Sequence, residues 1–151
     1  MSKSKIIKAI KANNKKLNLV GADLTLSSLI GVDLSGRDLR DVDFGGSNLR
    51  RANLSNANLE RAGIYEVNLS GANLQNAYLY ESDLSGSNLQ RANLSNADLR
   101  RADLRGVDFR KVIISGANLS YADLRFSILI GVDLSVANLR GADLTEAVLD
   151  Y

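Results

Sequence analysis

The side chains with the most evident chemical potential are carboxylates. Asp23, Asp43, Asp83, Asp103, Asp123 and Asp143 stand 20 residues apart or at a multiple of 20, and Gly63 fills the missing place. Such a column has three readings. It can imitate the phosphate track of duplex DNA or bind Ca²⁺ through oxygen ligands, while the acid and base of a glycosidase would need a cleft that a regular convex surface does not offer. It can also reflect a turn that prefers Asp or Asn for local hydrogen bonding. A second set is aromatic, Tyr78, Tyr80 and Tyr121, in a chain with only 5% aromatic residues. The chain has no Cys and no His. That excludes disulfides, thiolate metal sites, thiol nucleophiles and imidazole bases. No catalytic residue, metal ligand set or cofactor is expected. The 151 residues carry 19 Lys+Arg against 17 Asp+Glu, which suits one nearly neutral domain. No run of 18 apolar residues is present and no apolar segment follows the basic N-terminus. A membrane span and a secretory signal are therefore not indicated, and the expected location is cytoplasmic.

The elements that must position these side chains follow from internal repetition. From Leu19 to Leu149 every fifth residue is Leu, Phe or Ile, 27 in succession, with Phe44, Ile64, Phe109 and Ile114 the departures from Leu. Two residues before each comes a small residue, mostly Ala, Ser or Val, and between the two series stands mostly Asn or Asp. A period of five fits neither a helix nor a strand. It fits a coil in which each pentapeptide makes one short side and a turn. If four pentapeptides close a coil, positions 20 apart stack at about 4.8 Å. Leu then fills the lumen from four sides, each contributing roughly 1.5–3 kcal/mol. The rod would be about 30 Å long.

The Ala-Asn-Leu and Ala-Asp-Leu triplets, as at Ala52-Asn53-Leu54 and Ala102-Asp103-Leu104, resemble the A-(D/N)-L-x-x motif of the pentapeptide-repeat proteins. The resemblance covers most of the chain. It implies an all-β solenoid, a right-handed quadrilateral β-helix, cytoplasmic in most bacterial and cyanobacterial members, with no common catalytic activity. Better-understood relatives bind proteins, among them inhibitors or protectors of DNA gyrase that resemble duplex DNA, and regulators of cyanobacterial differentiation. The gyrase-directed relatives usually dimerise through a C-terminal helix, which this chain lacks, and that departure weakens the analogy.

Residues 1–16 lie outside the repeat. Ile6, Ile7 and Ile10 recur at helical spacing, Ser2 or Ser4 can begin a helix, and Asn13-Asn14 can end it. A solenoid's first coil exposes its lumen, so residues 1–16 are expected to form a short capping α-helix over the β-helix of residues 17–151. The alternative is a membrane-surface or nucleic-acid-binding helix, since six Lys lie in this segment. At the other end Phe126, Ile128, Ile130, Val136 and Val148 occupy outward positions. A homodimer through that end is expected, against a loosely covered last coil. Arg37 alone puts a charge in the small-residue series. It is expected to distort locally and reach solvent, with Asp38 or Asp41 as partner, so that Arg37→Ala would stabilise.

Sorted by side, the face of the Asp column has a net charge of −6 and the next face +3, with Arg50, Arg51, Arg91, Arg110 and Lys111. The basic face lacks interleaved aromatics and reads as solvated rather than nucleic-acid-binding. Apparent glycosylation sequons such as Asn53-Leu54-Ser55 are by-products of the repeat. The residues thus point to a non-enzymatic protein-interaction scaffold or regulator using the tyrosine face or the apolar C-terminal end. The alternative is a DNA mimic acting on gyrase or another DNA-binding enzyme through the acidic column. The partner in either case is another protein.

Overall fold

The pentapeptide is a turn before it is a strand. In the computed structural model, which describes residues 1–150, the N–H of nearly every small residue reaches back to the C=O of the preceding Leu, Phe or Ile, with Ser27 and Val67 turning instead to a serine hydroxyl of the next coil. Ala52 bonds to Leu49 at 2.9 Å and Ala92 to Leu89 at 2.8 Å. The third residue of this turn has φ near +60°, the requirement of a type II turn. Glycine stands there in ten repeats, but so do Asn56 (φ 57°), Glu66 (56°), Arg91 (60°) and Tyr121 (60°). The outer sequence is thereby freed to vary, at a strain of about 1 kcal/mol for each non-glycine residue.

Between turns the extended segment is so short that it pairs through single residues. Bridges run Asp33–Asn53–Asn73–Asn93 and Asn48–Asn68–Asn88–Asp108, all parallel and all stepping by 20. Leu54 donates its N–H to Asn73 at 2.7 Å, and Asn73 donates back to Ala52 at 2.9 Å. Four pentapeptides therefore make one coil of a right-handed four-sided β-helix. The lumen is filled as the period requires. From Leu19 to Leu129 every member of the Leu series is at most 3% exposed. Where Ser replaces Ala, its hydroxyl usually finds a backbone partner: Ser47 Oγ donates to Leu24 C=O at 2.6 Å and accepts from Ser27 N–H at 2.9 Å, whereas the buried Ser127 hydroxyl has none among the described residues.

Helix α1 (Lys3–Lys11) closes the first coil. Ile10 is 2% exposed, and Ile6, Ile7 and Leu17 pack against the core. Ser2 occupies the N-cap position without a side-chain bond, and the chain leaves through Ala12 and Asn13, the latter at φ 54°. Two lysines clamp the segment to the rod. Lys3 Nζ lies 2.9 Å from Asp23 and 2.8 Å from Thr25 Oγ1, and Lys15 Nζ lies 2.8 Å from Asp33.

Arg37 departs from expectation. It stays buried, and neither Asp38 nor Asp41 is its partner: Asp38 takes Arg40 and Asp41 takes Arg61. Its guanidinium instead donates to the C=O of Asn14 at 3.2 Å and to that of Leu17. The linker after α1 leaves these carbonyls without strand partners, and a long cationic donor satisfies both.

The repeat breaks once. Leu134–Val136 forms a short 3-10 turn, and the bridge between positions 113 and 133 is missing from an otherwise continuous ladder. Val136 is the one β-branched residue at the left-handed turn position and does not adopt positive φ. Branching at Cβ makes that conformation prohibitive. The turn therefore flips its central peptide, and Gly116 N–H bonds to Val136 C=O at 2.8 Å. The equivalent Asn96 bonds instead to Ser115, the residue before its turn's third position.

Candidate interaction surfaces

The carboxylate column is present as a continuous ladder. Asp23, Asp43, Gly63, Asp83, Asp103, Asp123 and Asp143 pair in succession. Each Asp, like each Asn on the other sides, bends back to accept the N–H two residues later: Asp83 from Ser85 at 2.9 Å, Asp43 from Gly45 at 2.8 Å, Asn53 from Ser55 at 3.2 Å. The side chain thus holds the start of its own turn.

The residue after Leu then decides how much charge remains. Where it is Arg, the guanidinium forks onto the same carboxylate, as in Arg105 on Asp103 at 2.5 Å and Arg125 on Asp123 at 2.6 Å. This pairing holds the Asp123 carboxyl below its ordinary range. Where that residue is Thr, the hydroxyl does the same for Asp143. Lys3 and then Thr25 bring Asp23 down to about 2. Among the six, Asp43 and Asp83 have no cationic partner in the described residues. The Asp-Leu-Arg triplet, legible in the sequence, signals this self-neutralisation, which face-by-face charge counting misses.

Tyr65 is a residue of this face that the sequence reading passed over. Its hydroxyl lies 3.4 Å from Asp43 Oδ2, and its ring lies over Gly45, where a Cβ would come within 2.2 Å of the ring. The signal was Gly45, the one glycine directly after the Leu series. Tyr65, Glu66 and Asp83 border a shallow depression of about 440 Å³.

The three tyrosines come together on the fourth side. Tyr78 and Tyr121 are 57% and 55% exposed, and Tyr80 lies under Arg100, with 5.4 Å from guanidinium carbon to ring centroid. Depressions of about 300 and 420 Å³ flank that pair, the first bordered by Tyr78 and the second by Tyr121. Glu81 and then burial raise the Tyr80 phenol.

The apolar C-terminal residues do not form one patch. Ile128 bridges to Val148, and Ile130 follows on the same side. Phe126 occupies the turn entering that side, and Val136 lies two turns further on, diagonally across the coil. Phe126, Ile130, Val136 and Val148 are exposed, with Ile128 half-buried. No helix among the described residues is long and apolar enough to cross a membrane, and none of their acidic clusters has metal-binding geometry.

A family model of pentapeptide repeats matches in eight copies over residues 15–46, 38–76, 77–116 and 117–150. No curated protein matches. Solved structures similar to the chain include HetL, a pentapeptide repeat protein involved in heterocyst differentiation regulation from the cyanobacterium Nostoc sp. strain PCC 7120. It is 32% identical, with 85% of this chain and 70% of that one covered and a TM-score of 0.44. Rfr23, from the cyanobacterium Cyanothece 51142, is 32% identical over 93% of this chain and 97% of that one, with a TM-score of 0.33. QnrB1, a plasmid-mediated fluoroquinolone resistance protein, is 22% identical over 87% and 84%, with a TM-score of 0.49.

Proposed function

Since the chain belongs to the pentapeptide-repeat family, we propose that it is a non-enzymatic scaffold or regulator that binds another protein through side chains fixed on the outside of the coil. The observation that carries this reading is the apolar end of the second side. Ile128, Ile130 and Val148 lie together there, with Phe126 at the adjoining turn. Exposed apolar side chains in register on a rigid lattice need little ordering on association, which favours docking. The occupant of this end is a second copy of the chain. Sedimentation equilibrium tests it: the native protein should dimerise at micromolar concentration, and Ile130→Lys with Val148→Lys should be monomeric. A native protein that stays monomeric overturns the dimer.

A second reading, a DNA mimic directed at gyrase or another DNA-binding enzyme, draws on Asp43, Glu66 and Asp83. Asp43 and Asp83 lack cations of their own, and Glu66 lies in the turn between their coils. Its contact would weaken steeply with salt. The check is a gyrase supercoiling assay over a salt series. Inhibition lost on Asp43→Lys and Asp83→Lys supports the mimic, and no effect of the native protein removes it.

A further inference from the structure

The second side carries cations that nothing among the described residues neutralises. Elsewhere Arg40, Arg100, Arg105 and Arg125 are forked onto neighbouring carboxylates. Arg50, Arg51, Arg91 and Lys111 take part in no ion pair among the described residues. The four are gathered by the register of 20. Arg51, Gly71, Arg91 and Lys111 follow one another up a single turn column, all at positive φ, beside the column of Arg50, Ser70, Gln90 and Arg110. Coils rise by about 4.8 Å, so Arg51 and Arg91 stand about 10 Å apart across the side-chain-free Gly71.

The result is a notch of about 360 Å³ with Ser70 and Gly71 as floor, Arg50 and Arg51 on one wall and Gln90 and Arg91 on the other. Arg51 leans across it, its Cγ 3.5 Å from where a Gly71 Cβ would stand. Beyond Arg91 the notch continues into a hollow of about 170 Å³ that reaches Lys111. Asp108, the acid at the rim, is already engaged by Arg110 at 2.6 Å and by Gln90 Nε2 at 2.8 Å.

A second feature of the floor is a free hydroxyl. At the same repeat position Ser35, Ser55, Ser85, Ser95, Ser120 and Ser135 all donate Oγ–H to the Asp or Asn two residues before. Ser70 bonds Asn68 through its N–H alone, and its hydroxyl donates to no protein group among the described residues. Planar guanidinium forks from two walls, a hydroxyl on the floor and no resident carboxylate match a tetrahedral dianion with several acceptor oxygens better than a single carboxylate.

We propose that this notch binds a phosphate monoester or free phosphate, held by Arg50, Arg51 and Arg91 with Ser70 beneath. The test is a ¹⁵N-detected NMR titration of the native chain with inorganic phosphate, a phosphoserine peptide and its unphosphorylated counterpart, and a single-stranded oligodeoxynucleotide. The expected result is saturable shifts centred on residues 68–72 and 88–92 with phosphate and phosphopeptide. Binding should be about tenfold weaker in Arg51→Gln and in Arg91→Gln, one charge-assisted bond each, and unchanged in Arg101→Gln, an arginine of the fourth side. Equal affinity for the two phosphate probes identifies the free ion as the source, and tighter binding of the phosphopeptide identifies the ester. Loss of affinity in Arg101→Gln as large as in Arg51→Gln would reduce the effect to net charge and overturn the site. So would oligonucleotide binding without phosphate binding, or no saturable shift at all.

Discussion

The two ends of the rod are built from the same repeat and are buried to different degrees. At the N-terminal end Leu19 and Leu24 are 1% and 0% exposed because α1 lays Ile10 over the lumen. In the last described coil Leu134, Leu139 and Leu144 are only half-buried, and Leu149 is 36% exposed. The inward direction of Leu is identical in both. A Leu in this lattice is therefore not buried by its own repeat. It is buried by the coil or cap stacked above it, so the stability of any coil is a nearest-neighbour property.

The sharpest way to break that comparison is to place one charge at two depths. Leu94→Lys in mid-rod should abolish cooperative unfolding by circular dichroism, because a fully enclosed lumen offers an ammonium neither water nor a partner. Leu149→Lys, at a position already 36% exposed, should leave a folded protein with nearly native melting. If both variants fold, or neither does, burial by neighbours is the wrong account of the lattice.

Next in size is Arg37, at the covered end. Replacement by Ala deprives the Asn14 and Leu17 carbonyls of a charged donor, and a buried bond of that kind is worth about 1.5–3 kcal/mol. Arg37→Ala should lower the melting temperature and speed exchange of the α1 amides before those of mid-rod. Unchanged melting would mean that the cap is held by its apolar side chains and the two lysine tethers without Arg37. This residue marks the limit of what the sequence discloses. Its anomaly was visible as the one charge in the small-residue series, and so was a helix over the first coil. Which atoms it serves was not, because the carbonyls of Asn14 and Leu17 belong to an irregular linker with no period to read. The Asp column was more legible: its alignment follows from the period, and the Asp-Leu-Arg triplets mark the forks of Arg105 and Arg125. The face that gathers Arg51 and Arg91 follows from the register of 20, whereas the notch between them and the free Ser70 hydroxyl depend on side-chain positions that carry no period.

At the other end Val136 supplies a smaller effect of opposite sign. Asn96 and Asn56 occupy the same corner two and four coils earlier and adopt the left-handed turn. Val136→Asn should permit that turn, restore the pairing of positions 113 and 133, and stabilise by about 1 kcal/mol. Slower exchange of the Ile114 and Asp133 amides, which lack the ladder bonds made by Leu94 and Ile113 one coil earlier, would report it. No change would mean that weak stacking of the terminal coil, not the Cβ branch, sets the 3-10 turn. The residue that breaks the ladder was legible as Val in a column of Gly and Asn, but only once the turn type assigned positive φ to that column.

The smallest effect separates the ends by pH. The covered end is tied down by carboxylates whose pKa values fall to about 2, Asp23 through Lys3 and then Thr25, Asp33 through Lys15 and then Ser35. A depressed folded pKa contributes stability that is fully present above the unfolded value near 3.8 and is lost as pH falls through about 2. Acidification from pH 5 to 2 should therefore loosen α1 relative to the coils beneath it. The lysine tethers should also weaken with salt, since both are exposed. At the other end Asp133 and Asp143 are lowered chiefly by Ser135 and Thr145 within their own turns. Their protonation slackens a turn without releasing a cap. The chain has no Trp and every Tyr lies outside α1, so the measurement is amide exchange of α1 against residues 137–148 across that pH range. Asp23→Asn with Asp33→Asn should remove the pH dependence of α1 and leave that of the last coil intact. If α1 in this double variant still loosens between pH 5 and 2, the cap is not held by these two pairs.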